Sequence, residues 1–324
     1  MVYDGTYCIS AEYIVKSKDT LARSQMKATI IICTYRRPAE ARRLLIELKE
    51  QRYKNFEVLV VYQGEKADIG KIKSPTETFY PIKYFYEVNP NLPRARNIGI
   101  REASGEIVLF LDDDIKPGNN LVEAHIKNHA DSKVGIVGGK VLEDKDEGYV
   151  PDSKIGTVRK IDGFAYSGFD KNVKREVMHV KGGNMSVRRG VALEIGGFDE
   201  RFEGIAEYED MDFCLRVLKR GYKIIFEPAA VVKHFSLPFG GCRGRERSKE
   251  EQIYWLYRNH SLMFLNNFSK LSYPILIAEY ILRISLRSLL WRNPRIIGSM
   301  FLGIRDGWKA HFSKPPKISW NKIQ

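Results

Sequence analysis

Cysteine is scarce in this chain of 324 residues, and its four copies, Cys8, Cys33, Cys214 and Cys242, are far apart with no C-x-x-C pair. That spacing argues against a disulfide framework or a zinc ribbon and fits reduced thiols. No uninterrupted apolar run approaches the roughly 18 residues that suggest a membrane span. The first residues, MVYDGTYCIS, also lack the basic-then-apolar layout of a signal peptide. The expectation is a protein on the cytoplasmic side. The dinucleotide fingerprint G-x-G-x-x-G is missing after the first apolar strand. His125 and His129, in H-I-K-N-H, lack the glutamate of the zinc-hydrolase motif, so they read as residues of a helix surface. Acidic excess is absent too: the formal net charge is +13. An anionic partner follows, whether nucleic acid, a phosphate-bearing ligand or an anionic membrane surface. The basic residues are dispersed and no nucleic-acid motif accompanies them, so nucleic acid is not the expected partner.

Hydrophobic content of 44% and charged content of 29% are those of an ordinary globular protein with ample core. Strands are predicted at Ala28 to Cys33, Phe56 to Val61, Ile82 to Tyr86, Ile107 to Leu111 and Val134 to Gly139. Helices are predicted between them, one beginning at Pro38 and one at Leu92-Pro93. This alternation implies an α/β fold with a mostly parallel sheet. The first turn, Thr34-Tyr35-Arg36-Arg37, carries hydroxyls and two arginines that suit a nucleotide. From about 143 to 178 the pattern weakens into long loops and short hairpins suited to acceptor recognition.

Asp112, Asp113 and Asp114 stand where the fourth strand ends, which is where open α/β sheets bind ligands. Three adjacent carboxylates repel one another unless a cation joins them, and hard divalent ions take oxygen ligands. KGGNMS, at Lys181 to Ser186, precedes a predicted helix. Glu209, Asp210 and Asp212 then open another, where the helix dipole favours carboxylates and one of them can serve as a general base. Strands follow at Tyr222 to Glu227 and at Ala230 to Lys233, with His234 directly after the second.

Taken in order, CTYRRP, FEVLVV, PRARNIGIREASGEIVLFLDDD, KGGNMSVRRG, GGFDERF, YEDMDFCLR and VVKH resemble a family 2 glycosyltransferase over roughly residues 28 to 235. The resemblance implies a GT-A fold and an enzyme that moves a sugar, with inversion, from a nucleotide-diphospho-sugar (UDP, GDP or dTDP) to an acceptor hydroxyl. It implies a D-x-D site in which Asp114, with Asp112 and His234, holds Mn²⁺ or Mg²⁺, while Asp112 and Asp113 face the ribose and sugar. Asp210, beside Glu209, resembles the general base. Thr34, Tyr35, Arg36, Arg37, Gln63, Arg96, Asn97, Gly183 and Asn184 fall at nucleotide-sugar positions. Tyr62 stands where many relatives carry Asp. A role in surface polysaccharide, glycolipid or glycoprotein synthesis follows, with a glycan or lipid-linked acceptor. The alternative acceptor is a polyprenyl phosphate, which needs no base.

Residues 1–27 form an N-terminal extension without an assignable role, 28–235 the catalytic domain, and 236–324 a basic loop with C-terminal amphipathic helices. Arg243 and Arg245, among glycines, are expected to close over a diphosphate. The basic helices after Pro274 suit either a membrane interface, which makes the protein peripheral on the inner face of the cell membrane, or packing on this domain or a second subunit.

Overall fold

The computed structural model describes residues 26–73, 79–143, 148–237, 239, 241 and 247–315. The N-terminal extension, apart from Met26 and Lys27, and both arginines assigned to the closing loop, Arg243 and Arg245, lie outside the described residues. In chain order the main elements are β1 (Ala28–Tyr35), α1 (Pro38–Leu48), β2 (Phe56–Gln63), α2 (Ile69–Ile72), β3 (Ile82–Tyr86), α3 (Leu92–Glu102), β4 (Ile107–Asp112), β5 (Ile115–Pro117), α4 (Leu121–Asn128) and β6 (Val134–Glu143). The short strands β7 (Thr157–Val158), β8 (Ala165–Tyr166) and β9 (Arg175–Glu176) follow. Then come β10 (Asn184–Arg188), α5 (Arg189–Glu194), α6 (Glu209–Lys219), β11 (Lys223–His234), α7 (Lys249–Asn267), α8 (Tyr273–Trp291) and α9 (Arg295–Phe312).

The sheet runs β3-β2-β1-β4-β10-β6-β11-β5, with β9 also paired to β11. Strand alternation divides the core. Ile30, Ile32, Leu109 and Leu111 meet Leu44, Leu45, Val122 and Ile126 of α1 and α4 on one face. Ile31 and Phe110 meet Ile100, Val191, Phe213 and Val217 of α3, α5 and α6 on the other. Burial on both faces explains the unbroken apolar runs of β1, β2 and β4.

The sheet is more mixed than expected. β10 lies antiparallel between β4 and β6, where the sequence suggested only a loop leading to a helix. Its pattern is masked because Asn184 and Ser186 are polar yet fully buried. Their partners correct a second expectation: His125 and His129 are not on the helix surface but buried beneath it. His125 shares hydrogen bonds with Ser186 Oγ (3.0 Å) and Asn184 Oδ1 (2.9 Å), and His129 with Ser186 Oγ (2.8 Å). Positions i and i+4 share a helix face, and here that face turns inward. The two strands predicted at the end of the domain are one, β11, whose register shifts between Glu227 and Val231.

The C-terminal helices are tied into the α/β core. Arg258 Nη1 donates to Arg201 O (2.6 Å), Asn259 Nδ2 to Glu203 O (3.0 Å) and Asn267 Nδ2 to Asp212 Oδ1 (2.7 Å). α9 crosses α7 closely because Gly303 and Gly307 have no Cβ to strike the Tyr254 and Arg258 carbonyls. Among the described residues no helix is long and apolar enough to cross a membrane.

Candidate active-site cleft

The acidic end of β4 splits its three carboxylates between two tasks. Asp113 turns inward, where it accepts from Thr34 Oγ1 (2.6 Å) and Arg37 Nη1 (3.1 Å). Asp112 and Asp114 instead converge with His234: one ligand atom from each lies within 4.8 Å of the others. The pairing of β5 with β11 sets Ile115 opposite His234 and so brings the imidazole to the acids. His234 Nε2 is 3.1 Å from Asp114 Oδ1 and 3.8 Å from Asp112 Oδ2. Gly183 is needed below them, since a Cβ there would collide with the Asp112 carboxylate.

Burial alone would raise Asp114. The hydrogen bond and charge of His234, with Arg37 and the Leu237 N–H, outweigh it and hold Asp114 down at about 2. Burial likewise opposes charge on His234, yet Asp114, Asp112 and Glu143 raise its pKa. Asp113 goes the other way, pushed up to about 7 by burial despite Arg37 and Thr34. The donor set of two carboxylates and an imidazole suits a divalent cation, with the carboxylates the better ligands for a hard ion.

Across the cleft, α6 begins after Tyr208 in a left-handed conformation (φ 71°). Asp210 Oδ2 accepts from the Gly182 N–H (2.9 Å) and Oδ1 from the Met211 N–H (2.8 Å). Glu209 is buried and paired with Arg96 Nη1 (2.7 Å), whose guanidinium lies 5.0 Å from the Phe198 ring centre. These groups line a cleft of ≈ 620 Å³ together with Thr34, Tyr35, Gln63, Gly183 and His234. A second cavity of ≈ 330 Å³ adjoins it, lined by Phe164, Tyr208, Tyr257, Tyr280, Arg283 and Arg287 among others. Ser167, Lys181 and Asp210 line both spaces.

Several residues assigned to the nucleotide sugar are placed elsewhere. Asn97 is buried and holds the GGFDE loop through Phe198 O (2.9 Å), the Phe198 N–H (2.8 Å) and Glu200 Oε1 (3.0 Å). Asn184 is buried against His125, Lys140 O (3.1 Å) and Ala230 O (2.9 Å). Arg37 does line the cleft, where it is held as a clamp. It reaches Asp113, Asp114 Oδ2 (2.9 Å), Leu237 O (3.1 Å) and Phe239 O (2.6 Å). Arg36 is exposed, with its guanidinium over the Tyr35 ring. Gln63 does line the cleft, donating to Asn91 O (3.1 Å). Sequence reasoning gave no role to Lys181, whose Nζ reaches Glu143 Oε1 (2.9 Å) beside His234. A lone lysine before Gly-Gly carries no such signal.

The chain is similar in sequence and in fold to known glycosyltransferases. A 22% identical glucosyl-dolichyl phosphate glucuronosyltransferase of Haloferax volcanii aligns over 64% of this chain and 69% of its own. An uncharacterized glycosyltransferase of Bacillus subtilis is 30% identical over 64% of this chain and 73% of its own. Among solved structures, a Pyrobaculum calidifontis mannosyltransferase in complex with GDP-Man and Mn²⁺ superposes with a TM-score of 0.55 at 20% identity, covering 85% of this chain and 74% of that one. S. aureus TarS 1-349 in complex with UDP-GlcNAc gives 0.58 at 18% identity, covering 87% and 81%. The fold is therefore GT-A with added C-terminal helices. The model of the family described as Glycosyl transferase family 2 matches residues 29–196, more than half of the chain. On that match, the chain belongs to glycosyl transferase family 2.

Proposed function

We propose that the protein transfers a sugar from a nucleotide-diphospho-sugar to an acceptor hydroxyl with inversion, and that Asp210 is the general base. The observation carrying this reading is the position of Asp210, on the wall shared by the acid-lined cleft and the second cavity. A donor in the first space and an acceptor in the second would meet at its carboxylate. The Gly182 and Met211 N–H groups orient that carboxylate in the first turn of α6. It accepts the proton of the acceptor hydroxyl as that oxygen bonds to the anomeric carbon. The bond from that carbon to the donor's diphosphate oxygen breaks on the opposite face, inverting the centre.

Asp112, Asp114 and His234 would hold a divalent metal, Mn²⁺ or Mg²⁺, and when bound it would offset charge on the diphosphate. Thr34 and Arg37 keep Asp113 out of that set and hold Asp114 in place. Gln63, Thr34 and Tyr35 face the space for the nucleotide. A thermal-shift panel of UDP-, GDP- and dTDP-sugars, each with Mn²⁺, Mg²⁺ or EDTA, tests the donor site. A shift that needs both nucleotide and metal and vanishes in Asp114→Ala is expected. No metal-dependent shift with any donor would overturn the assignment of Asp112, Asp114 and His234.

A polyprenyl phosphate acceptor is the second reading, favoured by Arg283 and Arg287 in the second cavity. Such an acceptor is already ionised, so full turnover in Asp210→Asn would select it.

A further inference from the structure

α8 presents three different faces. Leu276, Tyr280 and Ile284 are buried in the helical core with Tyr257 and Phe264 of α7. Glu279, Arg283 and Arg287, one step around the helix, line the second cavity. The remaining face carries Leu282, Leu286, Leu289 and Leu290, which are 63%, 55%, 76% and 78% exposed. At 3.6 residues per turn, Leu282, Leu286 and Leu289 form one stripe opposite the buried one. A soluble protein seldom leaves an aliphatic stripe of this kind uncovered without a function for it.

Its surroundings identify what covers it. Between residues 270 and 315 there are eight lysines and arginines, but the only acids are Glu279 and Asp306. Both acids are engaged, Glu279 by Arg283 Nε (3.0 Å) and Asp306 by Arg305 Nε (2.8 Å). Arg292 and Arg295 are exposed at the turn into α9, and Arg287 has no ion-pair partner among the described residues. A second copy of the chain would set two such cationic faces against each other. An anionic bilayer satisfies both parts, with acyl chains for the leucines and phosphates for the arginines. Phe301, Trp308 and Phe312, exposed on α9, extend the aromatic content of the same region.

We propose that α8 lies in the interface of an anionic lipid bilayer with its leucine stripe among the acyl chains. The stripe lining the second cavity then sits at headgroup level, so that an acceptor anchored in that bilayer reaches Asp210 from the membrane side. The acceptor part rests on the function proposed above, whereas the docking does not.

The test is co-sedimentation of the full chain with phosphatidylcholine/phosphatidylglycerol vesicles and with phosphatidylcholine alone. Partitioning onto the anionic vesicles is expected. It should fall at least about tenfold in L286E/L289E, and R292E/R295E should lose the preference for anionic lipid. All four positions are exposed, so unchanged melting temperatures check that the variants fold. Asp210→Asn should partition like the wild type whatever becomes of its activity, which separates docking from catalysis. The proposal is overturned if the wild type stays in the supernatant, or if L286E/L289E partitions equally well. It is overturned too if sedimentation velocity finds a dimer that L286E/L289E splits.

Discussion

Two histidine sites border one sheet and have been driven in opposite directions. His234, at the open end of β11, faces Asp112, Asp114 and Glu143, and its pKa is raised. His125 and His129, under α4, face Ser186 and Asn184, and burial lowers them to about 4 and about 3. The side chain is the same; what differs is whether burial is answered by carboxylates or by neutral hydroxyl and amide groups. The first environment stabilises positive charge and is suited to exchange a proton for a metal ion. The second excludes charge and works as a polar seam between a helix and the sheet. A histidine near a sheet end is thus not informative until its partners are known.

The contrast can be broken by mutation. The largest effect is expected from Asp210→Asn, which lies in neither histidine site. Turnover should drop on the order of 10²–10⁴-fold, measured by donor consumption, while the nucleotide-dependent thermal shift persists. His234→Ala should abolish metal dependence of that shift yet leave the melting temperature of the ligand-free protein nearly unchanged. A large loss of melting temperature there would make His234 as structural as the buried pair.

The reverse is expected of Ser186→Ala, which removes one hydrogen-bond partner from each buried histidine and leaves His125 only the Asn184 side chain. It should cost about 1–3 kcal/mol in denaturant unfolding with catalytic constants unchanged. Acidification should act on the same seam. A base whose folded pKa is depressed leaves the unfolded chain binding more protons, so stability falls as pH drops below about 6.5. For His125, the loss should reach on the order of 3 kcal/mol near pH 4, and His125→Gln should flatten that slope. The smallest effect is expected at Arg36, exposed and stacked on Tyr35: Arg36→Ala should change donor binding by less than about tenfold, read by titration.

Much of the catalytic half was legible in the residues. β1, β2 and β4 announce themselves because both their faces are buried, and Asp112, Asp114 and His234 stand at strand ends where such sheets bind ligands. β10 was not legible, since half of its buried side chains are polar and are satisfied by histidines some sixty residues away. Asn97 and Asn184 illustrate a different limit. A motif places a residue near a site, but its hydrogen bonds decide which way it faces, and those come from segments that no local pattern contains. The second cavity is hidden for the same reason, being assembled from four stretches near 162–167, 179–181, 207–211 and 256–287.

The Arg37 clamp has a consequence for how the chain matures. Its acid partners arrive within eighty residues, but the carbonyls of Leu237 and Phe239 lie 200 and 202 positions away. Closing so long a loop is entropically late, and during synthesis those carbonyls emerge after the whole sheet. A nascent chain ending at β11 would carry every ligand of the acidic cluster while lacking two of the carbonyls that hold the guanidinium beneath it. The electrostatic character of the site is therefore among the last properties the protein acquires, and a chain cut after His234 should show a looser acidic cluster than the intact one.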